Sequence, residues 1–235
     1  MIEAIDNFGI QVFFGSSSAF LDQIALMLTN VYMWIPMFIT LFILIVKNND
    51  NMQQILVILG CIALCVFLAS GTANLLVKPL VERVRPCNDL HYKYLAQIAG
   101  NIHEKDFSFF SSHAANTTAV ATFFVLLVRS SMLSITLYCW ALINMWTRLY
   151  LGQHFLTDVI VGMVWGIIAA CVAYAICHKL QKNISSGRNF ISTQYTDTGY
   201  SHIDVDVVVS VFCLTLCCST IPFAEIYNNI IELIH

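Results

Sequence analysis

Charge is scarce in this sequence. Only 11% of its residues are Asp, Glu, Lys or Arg, against about a quarter in a soluble domain. The few charges are also segregated, and long apolar runs lie between them. With 58% hydrophobic residues, a water-soluble globular fold is excluded and an integral membrane protein is expected. A basic excess is missing too. The net charge is −3, so nucleic acid is not an expected partner, and the bilayer is. No basic stretch precedes a short apolar run and a cleavage site, so no signal peptide is expected. Carboxylates with metal-ligand spacing are absent as well. Asp89, Glu104 and Asp106 are scattered in one loop and read as solvated.

Cysteine is plentiful, at nine positions, but its spacing carries no motif. Cys61, Cys65, Cys139, Cys171, Cys177, Cys213, Cys217 and Cys218 fall in apolar runs, where cysteine acts as a small hydrophobe and is expected to be buried. Cys87 alone lies in a polar loop, where it is expected to be accessible and where no loop partner exists for a disulfide.

The apolar runs predict an all-helical bundle, because polar backbone cannot face lipid in any open form. Residues 1–30 are short amphipathic pieces, read as helices at the membrane surface or packed on the bundle. Six spans are expected at 31–46, 54–77, 114–128, 132–146, 159–177 and 205–223. The first five, 31–177, form a core with polar site loops at 78–113 and 147–158. Residues 178–204 read as a flexible polar loop, and 205–235 hold the sixth span and a short amphipathic tail. No internal repeat is visible.

Polar residues cluster in three stretches. In TRLYLGQHFLTD, residues 147–158, His154 and Asp158 are four apart. On a helix they share a face. The carboxylate can then fix the imidazole tautomer and free Nε2 as a nucleophile or base. Gly152 suggests a bend that lets Arg148 end one helix while His154 opens the next. In KPLVERVRP, residues 78–86, Lys78 and Arg85 are two helical turns apart and project on similar sides. In FSFFSSHAANT, Ser111 and Ser112 are in N-cap position, with free N–H groups suited to an anion. His113 opens that helix.

Each stretch alone has an ordinary reading, as snorkelling cations or a serine cap at a helix end. Together they put three cations, two histidines and one aspartate on one membrane face. Cations at that density suit a phosphoryl group. A histidine with a carboxylate beside one without suits a nucleophile and a separate general acid. Lys and Arg on the far side are Lys47, Arg129, Lys179, Lys182 and Arg188. The site side has Lys78, Arg83, Arg85, Lys93, Lys105 and Arg148. Setting Lys78, Arg85 and Arg148 aside as chemistry, the balance points the site away from the cytoplasm.

The order K-x6-RP, SSH, R-x5-H-x3-D resembles the type 2 phosphatidic acid phosphatase family of integral-membrane lipid phosphatases. That family's signature reads KxxxxxxRP, PSGH and SRxxxxxHxxxD. Lys78, Arg85 and Pro86 match the first motif, and Ser111 and His113 the second. Arg148, His154 and Asp158 match the third. Phe110 stands where the family has proline, Ser112 where it has glycine, and Thr147 where it has serine.

The resemblance implies these roles. His154 is the nucleophile that becomes a phosphohistidine, Asp158 orients it, and His113 is the acid. Lys78, Arg85, Arg148, Ser111 and Ser112 hold the phosphate. No metal and no cofactor are implied, since the cations supply the positive charge. The expected enzyme hydrolyses a lipid phosphate or diphosphate at the outer face of a bacterial inner membrane. Its candidate substrates are undecaprenyl diphosphate, phosphatidylglycerol phosphate, phosphatidate and lipid A phosphates. A phosphotransferase with the same histidines is the nearer alternative, and a transporter the further one. Oligomeric state is not readable.

Overall fold

The computed structural model of the chain describes residues 2–15, 18–90, 92, 106–184 and 193–220. It opens with α1 (Ile2–Phe13) and α2 (Ala19–Leu28). A 3-10 turn at Val31–Trp34 leads into α3 (Ile35–Lys47). Asn30 caps that turn by accepting from Tyr32 N–H at 3.0 Å. Trp34 Nε1–H donates to Leu28 O (2.9 Å) across the bend, and the two helical pieces meet at 69°.

Next comes α4 (Met52–Val66), which runs through a π-helical stretch, Phe67–Val77, into the single turn α5 (Lys78–Val81). Pro79 supplies the cause. It has no N–H to return to the preceding turn, and its ring crowds the carbonyl there. Widened turns take up the mismatch, as where Lys78 N–H reaches back to Ala73 O. The helix stops at Glu82, whose φ of 49° is left-handed. The extended backbone beyond it carries Arg85 round toward Lys78. The two cations therefore do not share one helix face, as their spacing had suggested.

Four longer helices follow among the described residues: α6 (Ser112–Val128), α7 (Ser131–Tyr150), α8 (Leu156–Ile184) and α9 (His202–Ser219). Among the described residues there is no strand, only one isolated bridge between Tyr195 and Ser201. The expected all-helical membrane fold is therefore present. Among the described residues, three stretches are long and apolar enough to cross a bilayer: Met52–Asn88, Leu156–Lys182 and His202–Ser219. The bent pair of α2 and α3 makes a fourth if counted as one span. α6 is apolar but has only 17 residues.

Both α6 and α7 carry buried polar side chains, because much of their surface faces protein rather than lipid. Thr117, Thr118, Thr122, Thr136, Asn144 and Thr147 are all buried. Most satisfy themselves against their own helix, as Thr136 does on Met132 O (2.9 Å) and Asn144 on Trp140 O (2.9 Å).

α6 is central and packs most extensively on α8. Small residues make that contact close. A Cβ added to Gly162 would lie 2.5 Å from Ser111 O, and one on Gly166 would lie 2.4 Å from Ala115 O. Gly-x-x-x-Gly on an apolar helix lets two backbones touch in this way. A cluster of rings ties α3, α7 and α9 to one another. Trp34 stands edge-on to Trp140 (6.1 Å) and stacks on Phe212 (5.9 Å).

At the pole away from the candidate site, polar bonds pin the helix ends. Lys47 Nζ meets Asp204 Oδ1 at 2.6 Å, and Asn48 Nδ2 meets Asp204 Oδ2 at 3.0 Å. The expected loop 178–204 is partly helix, since α8 continues to Ile184. Its residues 193–201 form a turn held by Asn49 on Tyr200 (3.2 Å) and Thr198 on Val128 O (2.7 Å). Residues 221–235, which carry the tail, lie outside the described residues.

The cysteines correct the expectation in both directions. Cys87 is 1% exposed, sealed where its N–H donates to Gly152 O (3.0 Å). By contrast Cys139, Cys171, Cys213, Cys217 and Cys218 are exposed on the outer helix surfaces. Hydropathy places a residue in a run but does not tell which face of the helix it occupies.

If the α6–α8 contact sets the packing, Gly166→Val should force the two helices apart. A loss of about 1–3 kcal/mol is expected for such overpacking. It should appear as a lower thermal midpoint of the protein in detergent, and an unchanged midpoint would contradict the close contact.

Candidate active site

The polar residues meet where the N-terminus of α6 rests on the first turn of α8. Ser111 caps α6, its side chain accepting from Ala114 N–H at 3.3 Å. Its own N–H donates to Asp158 O (3.1 Å), which locks the two helix starts together. Gly152, at φ +65°, makes the turn between α7 and α8. A Cβ there would strike the ring of Phe14, 2.4 Å away. His154 lies in this turn, two residues before α8, and Asp158 in the helix's first turn.

A cavity of about 490 Å³ is lined by Lys78, Arg85, Asp106, Ser112, His113, His154 and Asn74, among others. It gathers Lys78, Arg85, Ser112 and both histidines of the expected site. Arg148 lies in an adjoining cavity of about 520 Å³, with Thr29, Asn30, Tyr32 and Gln153. His113 lines both. Arg148 donates to Thr29 Oγ1 at 3.0 Å. Ser111 is fully buried beneath the cavity wall, with its hydroxyl used as the helix cap.

Arg85 is 2% exposed and donates in several directions. Its Nε meets Asp106 O at 2.9 Å, and Nη1 meets Gln153 O at 3.1 Å. Nη1 also lies 3.3 Å from His154 Nε2. Arginine has no lone pair to offer, so Nε2 accepts and the imidazole proton belongs on Nδ1. That Nδ1 faces Ser108 Oγ (3.4 Å) and Asp158 Oδ2 (3.8 Å). Asp158 Oδ2 also accepts from Phe155 N–H (3.0 Å) and from Ser108 Oγ–H. Burial pushes the His154 pKa down to about 4. The Asp158 carboxylate opposes that shift, and the Arg148 and Arg85 cations add to it. The imidazole is neutral at pH 7, with its lone pair toward the cavity.

Three participants were not singled out from the sequence, and a fourth, Arg83, was expected to pair with neighbouring Glu82 or to shape the substrate entrance. Ser108 touches both His154 and Asp158, yet it reads as one more serine in a polar loop. Gln153 holds Arg85 with no motif to mark it. Asp106, read as solvated, has a side chain 69% exposed, with Oδ2 3.9 Å from Lys78 Nζ and 3.8 Å from Arg85 Nη2. Arg83 donates to Asp158 Oδ1 at 2.6 Å. Neither the spacing nor the charge of these residues distinguishes them. His91 and His103 fall outside the described residues.

A third cavity, about 710 Å³, opens beside the first and shares Asn74, Ser112 and His113 with it. Its other walls are mostly apolar, with Phe38, Leu41, Leu59, Ile62, Val120 and Trp140 among them. A pocket lined by Lys78 and Arg85 thus adjoins an apolar groove inside a membrane protein.

That combination suits an anionic group carried on an apolar molecule. Comparison with known proteins makes the assignment specific. The sequence profile of the PAP2 superfamily matches residues 54–182, and the chain belongs to that family.

A lipid A 4'-phosphatase of Bacteroides thetaiotaomicron is 33% identical over 190 residues. That match covers 79% of this chain and 84% of the relative. A lipid A 4'-phosphatase of Porphyromonas gingivalis is 26% identical, over 69% of this chain and 68% of the relative. Phosphatidylglycerophosphatase B of Bacillus subtilis is 30% identical, over 52% and 60%. The crystal structure of the transmembrane PAP2-type phosphatidylglycerolphosphate phosphatase from Bacillus subtilis shares the fold. Its TM-score is 0.53 at 22% identity, covering 79% of this chain and 87% of that one. The named relatives are lipid phosphatases.

Removing either cavity cation should weaken binding of inorganic vanadate or phosphate. Charge-assisted bonds to an anion contribute roughly 1.5–3 kcal/mol each, so Lys78→Ala and Arg85→Ala should each cost about 10- to 100-fold in Kd. Calorimetric titration with vanadate measures it. Unchanged affinity in both variants would mean that the cavity is not the anion site.

Proposed function

We propose that this protein is a lipid phosphatase that hydrolyses a phosphate monoester through a phosphohistidine, with a lipid A phosphate as its first candidate substrate. The observation that carries the reading is the junction of the cation-lined cavity with the apolar groove at Ser112 and His113. A phosphate held by Lys78 and Arg85 can there leave its tails among Phe38, Leu41 and Trp140. The adjoining cavity with Thr29, Asn30 and Tyr32 leaves room for a head group on the His113 side. The names of the relatives support lipid A ahead of phosphatidylglycerol phosphate, undecaprenyl diphosphate and phosphatidate.

In this reading, bound phosphate draws Arg85 off His154, and Nε2 attacks phosphorus. The bond from phosphorus to the leaving oxygen breaks as His113 delivers a proton to that oxygen. Asp158 closes on Nδ1–H and stabilises the imidazolium. Such hydrogen bonds are often long before substrate is bound. Water then gives a proton to His113 and attacks phosphorus, the phosphorus–nitrogen bond breaks, and inorganic phosphate leaves. Lys78, Arg85 and Arg148, with the N–H groups at the start of α6, meet the charge that grows in the transition state. These cations make a divalent metal unnecessary.

The reading further takes α2–α3, α4–α5, α6, α7, α8 and α9 as six spans. The site is on the periplasmic face of a bacterial inner membrane, a side supported by the distribution of Lys and Arg. α1 lies at the surface on that side, with Ile2, Phe8 and Val12 exposed outward.

Purified protein given a panel of these four lipids in excess chelator should release phosphate, fastest from lipid A. Activity that needs an added divalent metal would remove the metal-free mechanism. No release from any lipid would remove the phosphatase reading. The histidines separate by leaving group. His154→Ala should abolish turnover of every substrate. His113→Ala should lose least with an aryl phosphate, where protonation of the leaving oxygen matters little. Equal losses of the His113 variant on aryl and alkyl phosphates would contradict its role as the acid.

A further inference from the structure

We propose that Arg83 is a positioning residue for Asp158, and that Asp6 on the N-terminal helix holds Arg83 in that role. α1 is then a working part of the site. The proposal rests on the reading that His154 and Asp158 carry the chemistry.

A buried ionic chain is the ground for it. Asp6 is 2% exposed although α1 is a short helix at the edge of the fold. An acid buried there is costly unless paired. Its Oδ2 accepts from Arg83 Nη2. Its Oδ1 accepts from Thr157 N–H (3.0 Å) and Thr157 Oγ1–H (2.8 Å). Arg83 reaches on from there. Its Nη1 donates to Asp158 Oδ1 (2.6 Å) and to Thr157 Oγ1 (2.9 Å). Its guanidinium lies 4.0 Å over the ring of Phe155. Residues on both sides of α8's start thus grip one arginine, which grips the carboxylate behind His154.

The geometry divides the labour of Asp158. Oδ2 serves the histidine side, with Ser108 and Phe155 N–H, while Oδ1 is tied to Arg83. That tie prevents rotation of the carboxylate away from Nδ1. Charge matters as much as orientation. Arg83 alone would neutralise Asp158 and weaken its hold on an imidazolium. Asp6 offsets Arg83, so the three groups together keep one negative charge behind the nucleophile. α1 is seated for the task. A Cβ on Gly9 would lie 2.6 Å from Leu156 Cβ, and Asn7 accepts from Tyr92 OH at 2.6 Å.

The test is steady-state kinetics on the purified full chain, with Asp6→Asn, Asp6→Glu, Arg83→Gln and the double variant Asp6→Asn/Arg83→Gln. Loss of an outer partner of a catalytic group costs about 10- to 100-fold. A drop of that size in kcat is expected for Asp6→Asn and Arg83→Gln, with KM within about threefold because the loss falls in the transition state. Asp6→Glu should recover part of it. The double variant should be no worse than the worse single, since Asp6 acts through Arg83.

Wild-type kcat in Asp6→Asn would overturn the proposal. So would a loss that only tracks the amount of folded protein, or losses in the two singles that multiply in the double. His154→Ala, measured alongside, keeps the questions apart. If it retains turnover, the proposed function fails. If it is dead while Asp6→Asn is normal, only the role of α1 fails.

Discussion

Everything at the site depends on how closely α6 and α8 approach. With glycine at 162 and 166, backbone meets backbone, and the start of one helix rests on the first turn of the other. That contact brings Ser111 N–H to Asp158 O. It also puts His113, on α6, across one cavity from His154, which precedes α8. Without a hydrophobic drive between helices in lipid, this kind of close packing is what holds a bundle together. Here stability and chemistry use the same few ångströms. The polar residues buried in α6 and α7 follow from the same arrangement, because helices surrounded by protein need not be apolar throughout.

The second dependence is on Asp158, a carboxylate shared by groups with different tasks. Ser108 and Phe155 N–H hold the oxygen that faces His154, and Arg83 holds the other. Arg85 meanwhile occupies His154 Nε2 and reaches toward Asp106. Before substrate arrives, the cations of the cavity thus have carboxylate and imidazole partners. Under the proposed function, an incoming phosphate replaces these partners rather than entering an empty box. In that reading, the replacement ties binding to release of the lone pair on His154 Nε2.

Much of this was legible in the sequence. The apolar runs gave away a helical membrane protein, since no other periodicity accounts for them. Lys78, Arg85, Ser112, His113 and His154 were visible as motif residues, and they do line one cavity. What escaped notice was longer-ranged or local to the backbone. Lys78 and Arg85 converge through a π-helical stretch and a left-handed turn at Glu82, not through helix periodicity. Asp6 and Arg83 are 77 residues apart in sequence, and no local pattern links them. Ser108 and Gln153 are ordinary polar residues whose value lies in contacts alone. Burial of Cys87 was missed because a polar loop can still be packed under the turn that follows α7. The Gly162–Gly166 spacing was there to be read, but spacing alone does not name the partner helix.

The apolar groove beside the cavity has a kinetic meaning. Its walls include Val31 and Phe42, both exposed on the helix surface, so under the proposed function a tailed substrate would enter sideways from the bilayer. For an enzyme fed in that way, the quantity that governs rate is the number of substrate molecules per unit of bilayer area. Diluting the membrane with inert lipid would slow such an enzyme, while diluting the whole suspension with buffer would not.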